Sequence, residues 1–334
     1  MPADPSVTHP ALPDGVGLDH ARTLAERYAP RARFHRSEKH FPQDPEAFRR
    51  ISRFRESNPW PTPDRGWFEP GGSAPGRFEE GDSWGPGYES APWSSIDAES
   101  RRPYRAGAFD PSTARNRRPR DANNFRGGSH GIFLERREVG EDEFRAPDHP
   151  QVIEAPVFID SHVHQGETGR YVRLLYWFWF ELNWYRVLYT HEGDWEHVTW
   201  IWDEKAFVDG DAPGWAFFAQ HNGGEGRVWS DLVFSDAAGL HPDIFVNPAG
   251  HPAHPTADDA GDYVHSLDTW RDVRQLRWVH GEPWRDFAGA WGAVGSSTHT
   301  TGPLGPAFKR SSDNVRIRWI GGRRHAVVPK WWNR

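Results

Sequence analysis

The chain of 334 residues contains no cysteine, which excludes disulfides, thiolate metal sites and a nucleophilic thiol mechanism. The N-terminal stretch MPADPSVTHPALPDG lacks a basic segment followed by an apolar run, so no secretory signal is expected. The longest apolar stretch, Leu174 to Phe180, is too short to span a bilayer. A protein kept in the cytoplasm is the expectation, or one that leaves it by a route needing no such signal. There is no internal repeat and no GxGxxG, P-loop or GxSxG string. Positive charge is also short: a net charge of −7 and a pI near 6.2 argue against nucleic-acid binding driven by overall charge. The one basic stretch, Thr113 to Arg126, reads as a solvated loop.

What the chain does have is large aromatics. With 19 Trp and 20 Phe against a single Met, its core is built from rings, which suit pleated sheets better than helices. The 33 Gly and 29 Pro add many turns, so the expected fold is mainly β with a few short helices. We read residues 1–334 as one domain, long enough to bury a large core.

Ala21, Leu24, Ala25 and Tyr28 recur at helical spacing before Pro30, and Asp44-Pro45 reads as an N-cap with Pro at the first helical position. That second helix would carry Ala47, Phe48, Ile51 and Phe54 on one face. Arg31 to His35 reads as a short strand between the two helices. Residues 58–128, rich in Pro, Gly, Ser and Arg with scattered Trp, form a long insertion that either wraps the surface or covers a site as a lid. Near the C-terminus, Val315, Ile317 and Trp319 alternate with arginines before Gly321-Gly322, the pattern of a hairpin.

One stretch points to a chemistry. Tyr171 to Trp184 (YVRLLYWFWFELNW) is apolar on both faces, as a strand buried between two layers should be. His191-Glu192-Gly193-Asp194-Trp195-Glu196-His197 follows it. On a strand, Asp194 and Glu196 point to one side, and His191, just before the strand, can fold back over them. Two carboxylates and an imidazole suit a divalent ion that accepts oxygen ligands, Mg²⁺, Ca²⁺ or Mn²⁺, with Zn²⁺ or Fe²⁺ as alternatives. The plainer reading makes Asp194 a turn cap and Glu196 a solvated residue, as carboxylates usually are. Trp195 and His197 alternate to the other side and read as structural.

Five segments resemble the vacuolar protein sorting-associated family of the sixty-two type, and through it the necrosis-inducing-protein-like cytolysins. These are Tyr28 to His35 with Glu38 to Pro42, HEGDWEHV from His191, FFAQHNGGE from Phe217, GHPAHP from Gly250, and WGAVG with TGPLGPAFK between Trp291 and Lys309. The cytolysins carry a heptapeptide of the form G-H-R-H-D-W-E, which falls here on Thr190 to Glu196. The resemblance implies His191, Asp194 and Glu196 as metal ligands and a further acidic ligand on the preceding strand, where this chain has Asn183. It departs again at Gly193, where the cytolysin motif has a second His. It implies an antiparallel β-sandwich of the cytolysin or lectin-like kind.

Three functions compete at this stage. The first is an intracellular enzyme that uses a bound divalent ion as Lewis acid or water activator on a small polar substrate, with His221, His251 and His254 as candidate general acids or bases. The second is a cation-dependent binding module for glycans or sphingolipid head groups, which the resemblance suggests and the many Trp residues favour. The third is an interaction protein whose ion only braces loops.

Overall fold

The computed structural model describes residues 12–56, 132–136, 153–165, 169–184, 190–220, 223–257, 262–269, 271, 275–282, 284, 290–292, 302–303 and 305–306. The insertion at 58–128, the basic stretch, His221 and the C-terminal hairpin lie outside them.

Helix α1 (Leu18–Arg27) turns Ala21, Leu24 and Ala25 inward. Its last-turn carbonyls, which lack helical partners, are taken up by the sheet: Tyr176 Oη–H donates to the Ala25 carbonyl at 2.9 Å, and Trp200 Nε1–H to that of Tyr28 at 2.8 Å. Helix α2 (Pro45–Ile51) starts where Asp44-Pro45 predicts, with the Glu46 N–H donating to Asp44 Oδ1 at 2.9 Å. It ends earlier than its apolar spacing suggests. Ser52 Oγ–H donates to the Phe48 carbonyl at 2.6 Å, and Phe54, expected on the helix, lies in strand β2 (Ser52–Glu56) paired with β3 (Ile132–Arg136).

The chain is mainly β, with two mixed sheets packed on each other. The larger sheet has six strands in the order β12-β4-β5-β6-β7-β8. These are β4 (Val157–Gln165), β5 (Arg170–Trp184), β6 (Thr190–Asp203), β7 (Trp215–Gln220), β8 (Gly223–Val228) and β12 (Leu276–Trp278). The second sheet orders β10 (Ala253–His254), β9 (Asp243–Val246), β1 (Arg31–His35) and β11 (Tyr263–Asp268). Most pairs are antiparallel, but β1 runs parallel to β9 and β12 parallel to β4. Arg31 helps fix the register of the smaller sheet, with Nε 2.9 Å from Asp268 on one neighbour and 3.9 Å from Asp243 on the other. A third sheet, β13 (Ala290–Trp291), β3 and β2, completes the described strands.

Strand β5 is buried along thirteen consecutive residues, as the absence of polar alternation predicts. Its Val172, Leu174, Tyr176, Phe178 and Phe180 face the core between the two main sheets, beside Ala32, Phe34, Ile244 and Leu267. Its Leu175, Trp177 and Trp179 face the other way, into a ring-rich cluster with Phe48, Leu134, Phe158, Trp195, Trp284 and Trp291. Strand β6 ends at Asp203, where a short helix α3 (Glu204–Asp209) begins.

Candidate functional site

The motif sits inside β6, paired antiparallel with the end of β5. His191, expected just before the strand, is the register partner of Asn183, while Asp194 faces Phe180 and Glu196 faces Phe178. The alternation therefore puts both carboxylates on the face that looks into the core between the sheets. Both are buried. The turn-cap and solvated-carboxylate reading fails for this pair.

Asp194 is the meeting point. Asn183 Nδ2–H donates to Asp194 Oδ2 at 3.2 Å, and His251 Nδ1 lies 3.1 Å from the same oxygen. The imidazole of His251 stacks flat on Phe180, with centroids 3.8 Å apart and planes within 3°. Its Nε2 lies 3.7 Å from Glu38 Oε1. Glu38, which the spacing of the motif gave no reason to select, is buried and holds the surrounding loops. Its Oε1 accepts the N–H groups of Lys39 and His40 at 2.8 Å each, and its Oε2 accepts that of Ala249 at 3.0 Å.

The charges follow from this geometry. Burial alone would push the Glu38 carboxyl up, but His251 and the two backbone donors outweigh it and hold it below its ordinary value. Burial likewise disfavours the charged form of His251, and the flanking carboxylates of Glu38 and Asp194 overcome that, raising it to about 9. At neutral pH the centre is carboxylate, imidazolium, carboxylate. The loop that supplies His251 is held in an uncommon backbone conformation, with Ala249 at φ 70° and His251 at φ 53°. Non-glycine residues rarely adopt that region, and it clusters at functional sites.

The other expected histidines have contacts of their own. The ring of His191 turns back on its own strand, Nδ1 2.8 Å from the Gly193 carbonyl oxygen. His254 joins a separate, half-buried network, with Nδ1 3.0 Å from the Gln220 amide and Nε2 3.2 Å from that of Asn247, whose Oδ1 accepts the Tyr263 hydroxyl. His197 stacks on Trp177 at 4.3 Å on the opposite face, a structural position.

Gly193 explains one departure from the cytolysin heptapeptide. It adopts φ 69°, and a Cβ there would lie 1.7 Å from the Trp291 carbonyl oxygen and 2.6 Å from the Trp179 ring. The close approach of β13 leaves no space for an imidazole at this position.

The donors can be tested against the expected ion. Asn183 Oδ1 is buried and has no hydrogen-bond partner, an orphaned oxygen of the kind an oxygen-seeking cation satisfies. Asp194 meets the other amide atom of this side chain, Nδ2. Among the described residues, no three His, Asp or Glu side chains are grouped as a metal-binding cluster. An ion would therefore be held first by the Asp194 and Asn183 pair, which fits Mg²⁺, Ca²⁺ or Mn²⁺ better than a nitrogen-preferring metal.

The fold and the site define a mainly β, tryptophan-rich protein with a buried acid and imidazole centre at a strand rim. No family model matches the chain, and no curated protein matches it. A solved structure described as "Toxin fold for microbial attack and plant defense" is similar over 34% of this chain, at 15% identity and a TM-score of 0.25. The match spans about half of that chain, 52%. A likeness this slight assigns neither fold nor activity. Among the described residues no helix is long and apolar enough to cross a membrane.

Proposed function

We propose that this chain is a divalent-cation-dependent enzyme acting on a small polar substrate at the rim of β5 and β6. The observation that carries the reading is the convergence on Asp194 of Asn183, with its orphaned buried oxygen, and His251. Asp194 and Asn183 would hold the ion; Glu196 and His191, which the resemblance also implies as ligands, would have to turn toward that pair to complete its shell. Once bound, the ion would supply Lewis-acid or water-activating chemistry. The five-segment resemblance to the vacuolar protein sorting-associated family, and through it to the cytolysins, supports the same ligand set.

The chain's own residues divide the remaining work. His251 is sealed from solvent and both its ring nitrogens face carboxylates. It is a positioning residue, which fixes the Asp194 carboxylate and offsets its charge. His254 is half-buried in its own network and is the more accessible of the two for exchanging a proton with a substrate. His221 follows directly on β7 and is assigned the same kind of role from its place in the sequence.

The test is turnover of phosphate, ester and glycoside substrates before and after chelation, with readdition of Mg²⁺, Ca²⁺ or Mn²⁺. Expected are activity that is lost and regained with the ion and a much lower kcat in His254→Gln. Cation-dependent retention on glycan or lipid arrays with no product would replace the enzyme by a binding module. A fall in melting temperature on chelation, with neither turnover nor retention, would leave only a bracing ion.

A further inference from the structure

The turn that follows β1 carries a second set of chemistry-bearing side chains, on the outer side of the smaller sheet. Ala32 and Phe34 face the core, so the alternation turns His35, the last residue of β1, outward. Ser37 stands two residues further on, and its Oγ lies 2.7 Å from His35 Nδ1. The Ser37 backbone N–H donates to the same nitrogen at 3.1 Å. On the other side of the ring, His35 Nε2 lies 3.4 Å from Asp262 Oδ2. Asp262 is anchored through its backbone: its carbonyl accepts the Arg36 N–H at 2.6 Å, where the register of β1 against β11 shifts between Phe34 and His35.

The backbone donor fixes the state of the ring. An amide N–H can only donate, so His35 Nδ1 presents a lone pair and the ring proton sits on Nε2, toward Asp262. The Ser37 hydroxyl therefore gives its hydrogen bond to Nδ1. Hydroxyl, imidazole and carboxylate stand in the order that activates a serine as a nucleophile. Ser37 is exposed, and the side chains of His35 and Asp262 are 22% and 51% exposed, so a substrate can reach the hydroxyl. Tyr263 lies edge-on to His35 with centroids 5.6 Å apart, and Phe245 edge-on to Tyr263 at 5.1 Å, which sets an apolar wall beside the base. Glu38, the next residue in the chain, is buried and turns inward to His251.

We propose that Ser37, His35 and Asp262 form a nucleophilic site that takes the acyl group of small carboxylic esters with an apolar or aryl part. Ser37 Oγ forms a bond to the ester carbonyl carbon as its proton passes to His35 Nδ1. The bond from that carbon to the leaving oxygen breaks, and the leaving alcohol takes the proton from Nδ1. Water then attacks the acyl-Ser37 ester by the same route, gives a proton to Nδ1 and releases the acid, and that proton returns to Ser37 Oγ. Asp262 is a positioning residue, which keeps Nε2–H turned toward itself and balances the imidazolium formed in each half-reaction. These steps involve no cation and no residue of the rim centre.

The probes are 4-nitrophenyl acetate and a fluorophosphonate, given to the full chain in the presence of a chelator, with nitrophenolate release and peptide mapping of the modified residue as readouts. Expected are release above that of buffer and modification of Ser37 at a rate that does not change when Mg²⁺ is restored. Ser37→Ala should lose the label, and His35→Gln should slow labelling about a hundredfold or more. Asp262→Asn should slow it about tenfold or more, with Asp262→Glu recovering part of the loss, all at melting temperatures close to the parent's. Should a variant melt early, the parent alone decides, by whether Ser37 is labelled faster than the exposed Ser230. Labelling of Ser37 no faster than that of Ser230, an equal rate in His35→Gln or the full rate in Asp262→Asn overturns the site. Ester turnover that appears only with a divalent ion, and leaves Ser37 unmodified, overturns it as well and places that chemistry at the rim.

Discussion

His251 stands between two carboxylates with no solvent to share the charge, so its removal exposes each of them to the other. His251→Gln is expected to destabilise the protein by about 3–5 kcal/mol, the usual cost of breaking a buried charge network from one side; urea denaturation would measure it, and a loss under about 1 kcal/mol would refute the ion-paired arrangement. Trp195→Ala should cost about 3–5 kcal/mol through the cavity left among Trp177, Trp179, Trp284 and Trp291, with the cation affinity of the folded protein little changed. At this scale much of the centre was legible before the fold was known. Asp194 and Asn183 stand out because they are polar residues beside an aromatic run, and His251 because it lies in a Gly- and Pro-rich loop after a short strand. Glu38 was not, although it opens one of the five resembling segments. It stands in a loop far from the motif in sequence, and only the packing of the loop before β10 against β5 brings it to His251. Arg173 and Asp160 were hidden in the same way: each reads as a lone polar residue in an apolar strand, and pairing across β4 and β5 puts them on one face of the sheet.

Gly193 shows how an element, rather than a side chain, controls the rim. The Trp291 carbonyl presses against it, and Gly292, at φ 135°, would put a Cβ 2.0 Å from the Glu192 carbonyl oxygen. Gly193→Ala should therefore destabilise by at least about 2 kcal/mol, from left-handed strain added to the clash with β13; a melting temperature equal to the parent's would contradict the close approach. Strand and helix identities were largely readable. The two-faced apolarity of β5 follows from burial on both sides, and Asp44-Pro45 from the orphaned N–H groups of a helix start. The end of α2 was not readable, because Phe54 keeps helical spacing while strand pairing with β3 takes it. The parallel pairing of β1 with β9 also leaves no local signal, since both strands look alike whichever way they run.

Across the whole molecule, the rim centre gives folding a definite pH dependence. His251 has a folded pKa raised from 6.5 to about 9, so its contribution is complete below about 6.5 and is lost as the pH rises toward 9. Glu38 is shifted down from 4.5, so its contribution is present above that value and fades as the pH falls below it. Stability should be greatest between about pH 4.5 and 6.5 and decline toward pH 9, and chemical denaturation across that range would show it; stability that rises steadily to pH 9 would mean His251 is neutral in the folded protein. The most direct test of the rim is calorimetric titration of the chelated full chain with Mg²⁺, Ca²⁺ and Mn²⁺, beside the folded Asp194→Ala and Asn183→Ala variants. One tight site in the parent, abolished in the first variant and weakened in the second, is the result predicted here; no saturable binding in the parent, or the same affinity in all three proteins, contradicts it.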